Sequence, residues 1–158
     1  MKLQLTDFAP YLCLATTDRK LQDFLFQFDA IDSLKIKCKE NSFTHYENKK
    51  MQYELYFEEK KATDTKTDKE TICFTSVTIP LYKTYKGGLI ILPDDINAYI
   101  QRRDVIAIMG SSSASYECIG NILNDRWFYD DYKKIITYYP NGNIKSISLT
   151  IPEDPQNI

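Results

Sequence analysis

A short motif in the middle of the chain returns close to its end. Ser76-Val-Thr-Ile-Pro80 is echoed by Ser148-Leu-Thr-Ile-Pro152. Upstream of each copy lies a segment in which aromatic, acidic, basic and aliphatic residues come in a related order, His45–Met51 in one case and Phe128–Ile135 in the other. An internal echo of this kind is typical of one folding unit used twice. We therefore predict two related units in tandem.

The first unit, residues 1–86, reads as a helix followed by an antiparallel meander. Thr16–Asp18 offer capping oxygens, and the apolar residues that follow recur at helical spacing: Leu21, Phe24, Leu25 and Phe28. Four runs rich in branched and aromatic residues are predicted strands: 34–38, 43–46, 51–57 and 72–79. The highly charged segment 58–70 is predicted to be a long exposed connection.

The second unit, residues 87–158, repeats this plan after a glycine-containing junction at 85–88. Helices are predicted over 96–100 and from Arg102 to the C-cap Gly110, and strands over 126–132, 134–139 and 144–151, with an Asn141-Gly142 turn before the last. In that strand three aliphatic residues, Ile147, Leu149 and Ile151, alternate with three hydroxylated ones, Ser146, Ser148 and Thr150. The pattern predicts an α+β fold in which each sheet has one helix-covered face and one hydroxyl-rich face left for water or another protein.

Composition and charge narrow the classes of function. The net charge is −2, from 20 Lys and Arg against 22 Asp and Glu, which argues against a general nucleic-acid binder. No apolar run approaches the roughly 20 residues that a membrane span needs. The four cysteines form no Cys-x-x-Cys pair and the only histidine is His45, so we expect reduced thiols, no metal and no cofactor.

The second unit also resembles a known repeat. Its elements come in the order 103–111, 126–129, 135–138 and 141–147: a short helix ending in Met-Gly-Ser, an aromatic strand, a further strand, and an Asn-Gly hairpin. This order is similar to that of the β-lactamase-inhibitor-protein-like group, which includes the small outer-membrane assembly lipoprotein family. The likeness covers residues 102–152 well and residues 17–80 loosely. It implies two tandem helix-plus-antiparallel-meander units.

The chain departs from that group at three points. Ser112 stands where the repeat usually has proline, the 58–70 segment is longer, and the sequence shows neither a secretion signal nor a lipidation cysteine. Small cytoplasmic domains of this kind are similar to bacterial immunity proteins, which bind and block a cognate toxin. The resemblance therefore implies a cytoplasmic, non-enzymatic inhibitor, monomeric or homodimeric, whose partner is a toxin.

An aromatic and acidic cluster is the candidate partner-binding site. Its members are Asp125, Trp127, Tyr129, Asp130, Asp131 and Tyr132, with Glu47 of the first unit as a further acid. Aromatic side chains anchor interfaces, while carboxylates match the basic cleft of a toxin that cuts nucleic acid. A second interpretation places Asp130 and Asp131 at the start of a turn while Trp127 fills the core.

Two other classes of function stay open at this point. A small enzyme would need a pocket holding a titratable group of shifted pKa, and a deep cavity around His45 or Cys118 would favour it. A structural or self-assembling module would instead form a symmetric homodimer that buries an open sheet edge.

Overall fold

The structure is a computed structural model that describes residues 2–28, 43–61, 70–81, 88–92, 96–97 and 99–153. Within these residues the chain has a mixed α/β fold, so the predicted α+β class is confirmed. A 3₁₀ helix covers Leu5–Tyr11, and two α-helices follow, α1 over Arg19–Phe28 and α2 over Arg102–Met109. The strands are β1 Leu3–Gln4, β2 Phe43–Asn48, β3 Tyr53–Lys61, β4 Glu70–Pro80, β5 Ile90–Ile91, β6 Ala114–Cys118, β7 Asn121–Phe128, β8 Lys133–Tyr138 and β9 Ile144–Thr150.

Seven of these strands form one large antiparallel sheet. Its order is β2-β3-β4-β9-β8-β7-β6, while β1 and β5 form a separate parallel pair. The expectation of one sheet for each unit is therefore corrected, because the β4–β9 ladder joins the two meanders edge to edge. Described residues from both sides of the predicted 86/87 boundary contribute to a single hydrophobic core. The boundary itself stays a prediction, since residues 82–87 lie outside the described residues.

The two echoed motifs lie side by side at the centre of this sheet. Val77 pairs with Leu149, and these two residues hold the same place in their own motifs. Thr78 pairs with Ser148, and their hydroxyl oxygens lie 2.7 Å apart. The two copies of the motif are therefore paired with each other in the β4–β9 ladder.

One face of the sheet carries the core. Cross-strand partners share a face, and the row Leu55, Val77 and Leu149 is fully buried there. The predicted stripe on α1 is confirmed, since Leu21 and Leu25 have no exposed surface. Burying each of these leucines stabilises the fold by about 1.5–3 kcal/mol. Asp18 begins the helix by accepting a hydrogen bond of 2.7 Å from the backbone N–H of Lys20.

The aliphatic and hydroxylated residues of β9 separate as predicted. Ile147 and Leu149 are fully buried, whereas Ser146, Ser148 and Thr150 are half-buried on the opposite face. The Asn141-Gly142 turn between β8 and β9 is also confirmed. Gly142 has a φ of +86° and its N–H donates to the carbonyl of Tyr139 over 2.9 Å.

Several element boundaries differ from the sequence predictions. No helix forms over the described residues of 96–100, because the Asn97 side chain accepts from the Tyr99 N–H and closes a local turn instead. The charged segment 58–70 is partly strand, since residues 58–61 pair with 70–73. The predicted strand over 34–38 and the connection over 62–69 lie outside the described residues.

The strands before Trp127 also differ from the sequence prediction. Residues 114–118 form the edge strand β6, and β7 begins at Asn121 and ends at Phe128 rather than covering 126–132. The predicted helix ending at Gly110 is confirmed, with Gln101 and Asp104 forming a capping box at its start. No helix in the described part of the chain is both long enough and apolar enough to cross a lipid bilayer.

Candidate functional site

The turn between β7 and β8 presents stacked tyrosines beside two carboxylates. The Tyr129 N–H donates to the Tyr132 carbonyl over 3.0 Å and closes the turn. The two rings stack with centroids 4.6 Å apart and planes 25° from parallel. Asp130 and Asp131 are exposed between them, and 42% of Tyr129 is exposed. The structure thus brings these four predicted site residues together, and it also confirms that the two aspartates lie in a turn.

The strand residues on either side of this turn include Trp127 and Lys134. Trp127 is 5% exposed and its Nε1 donates to the carbonyl of Gly110, at the C-terminal end of α2, over 3.4 Å. Lys134 pairs with Trp127 across the β7–β8 ladder, and its Nζ lies 5.9 Å from the centroid of the Tyr129 ring. Burial lowers the pKa of Lys134. Burial also raises the pKa of Tyr132, and the neighbouring Tyr129 and Asp131 raise it further.

Asp125 is the centre of a buried polar cluster rather than part of the exposed turn. It has no exposed surface and accepts from Nε and Nη2 of Arg102 over 2.7 and 3.0 Å. Its carboxylate also accepts from Ser112 over 3.1 Å, from Ser115 over 2.5 Å and from the Tyr138 hydroxyl over 3.0 Å. Asp125 therefore links the first turn of α2 and the edge strand β6 to the neighbouring strands β7 and β8.

The electrostatics of this cluster favour the charged carboxylate. Burial alone would raise the pKa of Asp125, but the hydrogen bonds from Arg102, Ser115 and Tyr138, with the charge of Arg102, hold it below its usual value. The hydrogen bond that Arg102 donates to Asp125 raises the pKa of Arg102. Burial raises the pKa of Tyr138, and the charge of Asp125 raises it further. The cluster is thus a satisfied internal ion pair at neutral pH.

These positions divide the predicted site into two groups. Asp125 and Trp127 lie on the helix-covered face, where their side chains are inaccessible to a partner. Tyr129, Asp130 and Asp131 are accessible at the end of the sheet. Period-two alternation places Asp125 and Trp127 on one face of β7, because they are two residues apart, whereas Tyr129, Asp130 and Asp131 follow the end of that strand at Phe128.

Glu47 lies far from the turn, near the opposite edge of the sheet. Five strand spacings separate β2 from β7, which corresponds to roughly 24 Å. Glu47 is directly opposite Glu54, and His45 is opposite Tyr56. The Tyr56 hydroxyl donates to Glu54 over 2.5 Å, and His45 Nε2 lies 3.5 Å from the same carboxylate. Sequence reasoning missed this grouping because it depends on the register of β2 against β3.

His45 and Cys118, around which a deep cavity would favour an enzyme, both lie at the surface. The His45 side chain is 39% exposed, and Cys118 is exposed on the edge strand β6. Among the residues that the structure describes, no group of three or more His, Cys, Asp or Glu side chains is arranged to hold a metal ion.

Comparison with known protein families, with curated proteins and with solved structures finds no match to this chain.

Proposed function

We propose that this chain is a non-enzymatic protein-binding inhibitor, an immunity protein that neutralises a cognate bacterial toxin by covering its active site. The observation that carries the proposal is the β7–β8 turn, in which a stacked Tyr129 and Tyr132 flank the exposed carboxylates of Asp130 and Asp131. Such a turn combines an aromatic anchor with negative charge. It suits a basic cleft on a protein partner.

The surroundings of the turn support this proposal. A recognition element binds more tightly when it is already held in its bound shape, because less conformational entropy is lost on association. Trp127, two residues before Tyr129, is hydrogen-bonded to Gly110 at the end of α2, and the Lys134 Nζ lies 5.9 Å from the centroid of the Tyr129 ring. Asp125 pairs with Arg102 in the first turn of the same helix. We assign Asp125 and Trp127 this supporting role. The contact itself is left to Tyr129, Asp130 and Asp131.

The architecture of an inhibitor with two tandem units is part of the same proposal. Both meanders run outward from the central β4–β9 ladder, β3 and β2 on one side and β8, β7 and β6 on the other. The pairing of Val77 with its counterpart Leu149 supports duplication of one helix-plus-meander unit. On this proposal the β7–β8 turn of the second unit contacts the toxin in the cytoplasm, where the toxin acts.

A self-assembling module is the second candidate, favoured by one observation. β6 is the last strand of the sheet order, and 52% of Tyr116 on it is exposed. Such an edge can extend into a second copy. The mass of the purified chain in solution separates a self-assembling module from a monomeric inhibitor, because only the former needs a dimer.

The test is whether this chain relieves the toxicity of the protein that is encoded directly upstream. The product of the reading frame directly upstream is expressed with this chain or with its variants, and growth and binding are measured. Tyr129→Ala and the pair Asp130→Asn and Asp131→Asn should each weaken binding at least about tenfold, as expected for an interface anchor and for steering charges. The double change should also flatten the salt dependence of the association rate.

Two matched controls make the result specific. Tyr99→Ala removes a tyrosine that is 72% exposed, and Asp23→Asn removes an exposed carboxylate on α1. Both should leave binding unchanged. An upstream product that is harmless, or whose toxicity this chain does not relieve, would contradict the proposal.

A further inference from the structure

The hairpin between β6 and β7 ends in an unusual two-residue turn. Cys118 pairs with Asn121, so Ile119 and Gly120 alone connect the strands. Both have left-handed backbones, with φ of +51° and +76°. A two-residue hairpin with two positive φ values matches the right-handed twist of the strands, and it strongly prefers Asn, Asp or Gly at both places.

Isoleucine is a poor choice for this turn. A β-branched side chain at positive φ is a true outlier, because its Cβ lies close to the neighbouring carbonyl oxygen. Burial does not offset that strain, since 95% of Ile119 is exposed. Backbone strain and an exposed aliphatic group are thus combined at one residue. Strained positions of this kind cluster at sites of function.

The residues around the Ile119-Gly120 turn favour a protein partner over a lipid surface. Tyr116, on the same hairpin, is 52% exposed, and Glu117 and Cys118 are exposed beside it. No Lys or Arg occurs from Ala114 to Asp125. A hairpin that inserts into an anionic membrane would need such cations to hold the headgroups. A single aliphatic side chain next to a carboxylate instead fits an apolar pocket with a basic rim.

We propose that Ile119 is a second anchor that inserts into an apolar pocket of the toxin, and this inference rests on the proposed function. Ile119 lies before the start of β7 and Tyr129 directly after its end, and the eight residues of this strand separate them by roughly 26 Å. An interface of standard size buries about 800 Å² on each partner and is about 30 Å across. Both anchors therefore fit within one such interface.

The experiment replaces Ile119 and measures stability and binding separately. Ile119→Asn supplies a residue that tolerates positive φ, so the melting temperature of the chain should rise by about 3 °C. Its affinity for the upstream toxic product should fall at least about tenfold, mainly through faster dissociation. Ile119→Val keeps the branched shape and should bind nearly as well as the unsubstituted chain. Ile108→Asn, on α2, changes an isoleucine that is 44% exposed and should not alter binding.

Each result bears on a different claim. Equal binding by Ile119→Asn and the unsubstituted chain would overturn the anchor and leave the proposed function standing. Failure of the unsubstituted chain to bind the upstream product would overturn both. Co-sedimentation with phosphatidylglycerol vesicles that is lost in Ile119→Asn would overturn the protein pocket in favour of a lipid surface. A lower melting temperature in Ile119→Asn would refute the strain on which the inference depends.

Discussion

Replacing Asp125 with alanine removes the acceptor at the centre of the buried cluster. The carboxylate has no exposed surface and accepts five hydrogen bonds, two of them from Arg102. After the change the guanidinium loses its counter-charge and the buried Tyr138 hydroxyl loses its acceptor. The substitution therefore leaves polar groups unpaired in the interior, where they cannot regain the hydrogen bonds that water would supply.

The size of the loss follows from the burial of the two partners. Removing one member of a buried ion pair costs about 3–5 kcal/mol. Because 36% of the Arg102 side chain is exposed, water can solvate the orphaned guanidinium, and the lower end of that range, about 3 kcal/mol, applies. With a urea m-value of about 2 kcal/mol per molar, the unfolding midpoint should fall by about 1.5 M.

The same cluster makes stability depend on pH in a defined direction. The pKa of Asp125 is lower in the folded chain, so the unfolded chain binds this proton first as the pH falls. The stability that ionised Asp125 contributes is fully present above the ordinary carboxyl pKa of about 3.9. It is lost below that pH, as the pH approaches the pKa of Asp125 in the folded chain. The stability difference between the chain and its Asp125→Asn variant should therefore be constant from about pH 5 to 8 and shrink below about pH 4.

Urea unfolding followed by circular dichroism, at pH 7 and at pH 3.5, measures both effects. Asp23→Asn is the control, because its exposed pair with Arg19, at 3.8 Å, should contribute little. A midpoint for Asp125→Ala within about 0.3 M of the unsubstituted chain would refute the reasoning, since a satisfied buried carboxylate cannot be removed at so small a cost.

Three further substitutions test other contacts. Gly88→Ala would place a Cβ 1.9 Å from the Met51 carbonyl oxygen and should lower stability by about 2–3 kcal/mol in thermal unfolding. Gly142→Ala, at φ +86° with open space around it, should cost only about 1 kcal/mol, and equal losses would contradict the steric argument. Tyr138→Phe removes a donor to Asp125 and should cost about 1–2 kcal/mol. It should also remove a tyrosine that ionises at a higher pH than an exposed tyrosine in an ultraviolet titration, because burial raises the pKa of Tyr138.

Elements with strong periodicity were predictable because their residues obey one local rule. The i, i+3, i+4, i+7 stripe of α1 and the strict alternation in β9 each have a single burial solution. The Asn141-Gly142 turn and the end of α2 at Gly110 also follow local rules, since glycine adopts positive φ at both. In these segments local preference and tertiary packing agree.

The other elements and the position of Asp125 depend on interactions that hydrophobic periodicity and the standard turn signals do not reveal. β6 and the first half of β7 were missed because Ile119 breaks the usual turn chemistry between them. The expected helix over 96–100 failed because the Asn97 side chain offers the backbone a competing hydrogen bond. The buried role of Asp125 requires Arg102, 23 residues earlier, to meet it in space. The single sheet likewise depends on a pairing between residues 70 positions apart.

That distant pairing has a consequence for how the chain emerges from the ribosome. β4, over Glu70–Pro80, is synthesised long before β9, its neighbour in the finished sheet. Throughout that interval one flank of β4 has no strand of its own chain to bond with, and such a flank can recruit a strand from another nascent molecule. Chains that stall or are truncated before Ile144 should therefore coaggregate through β4.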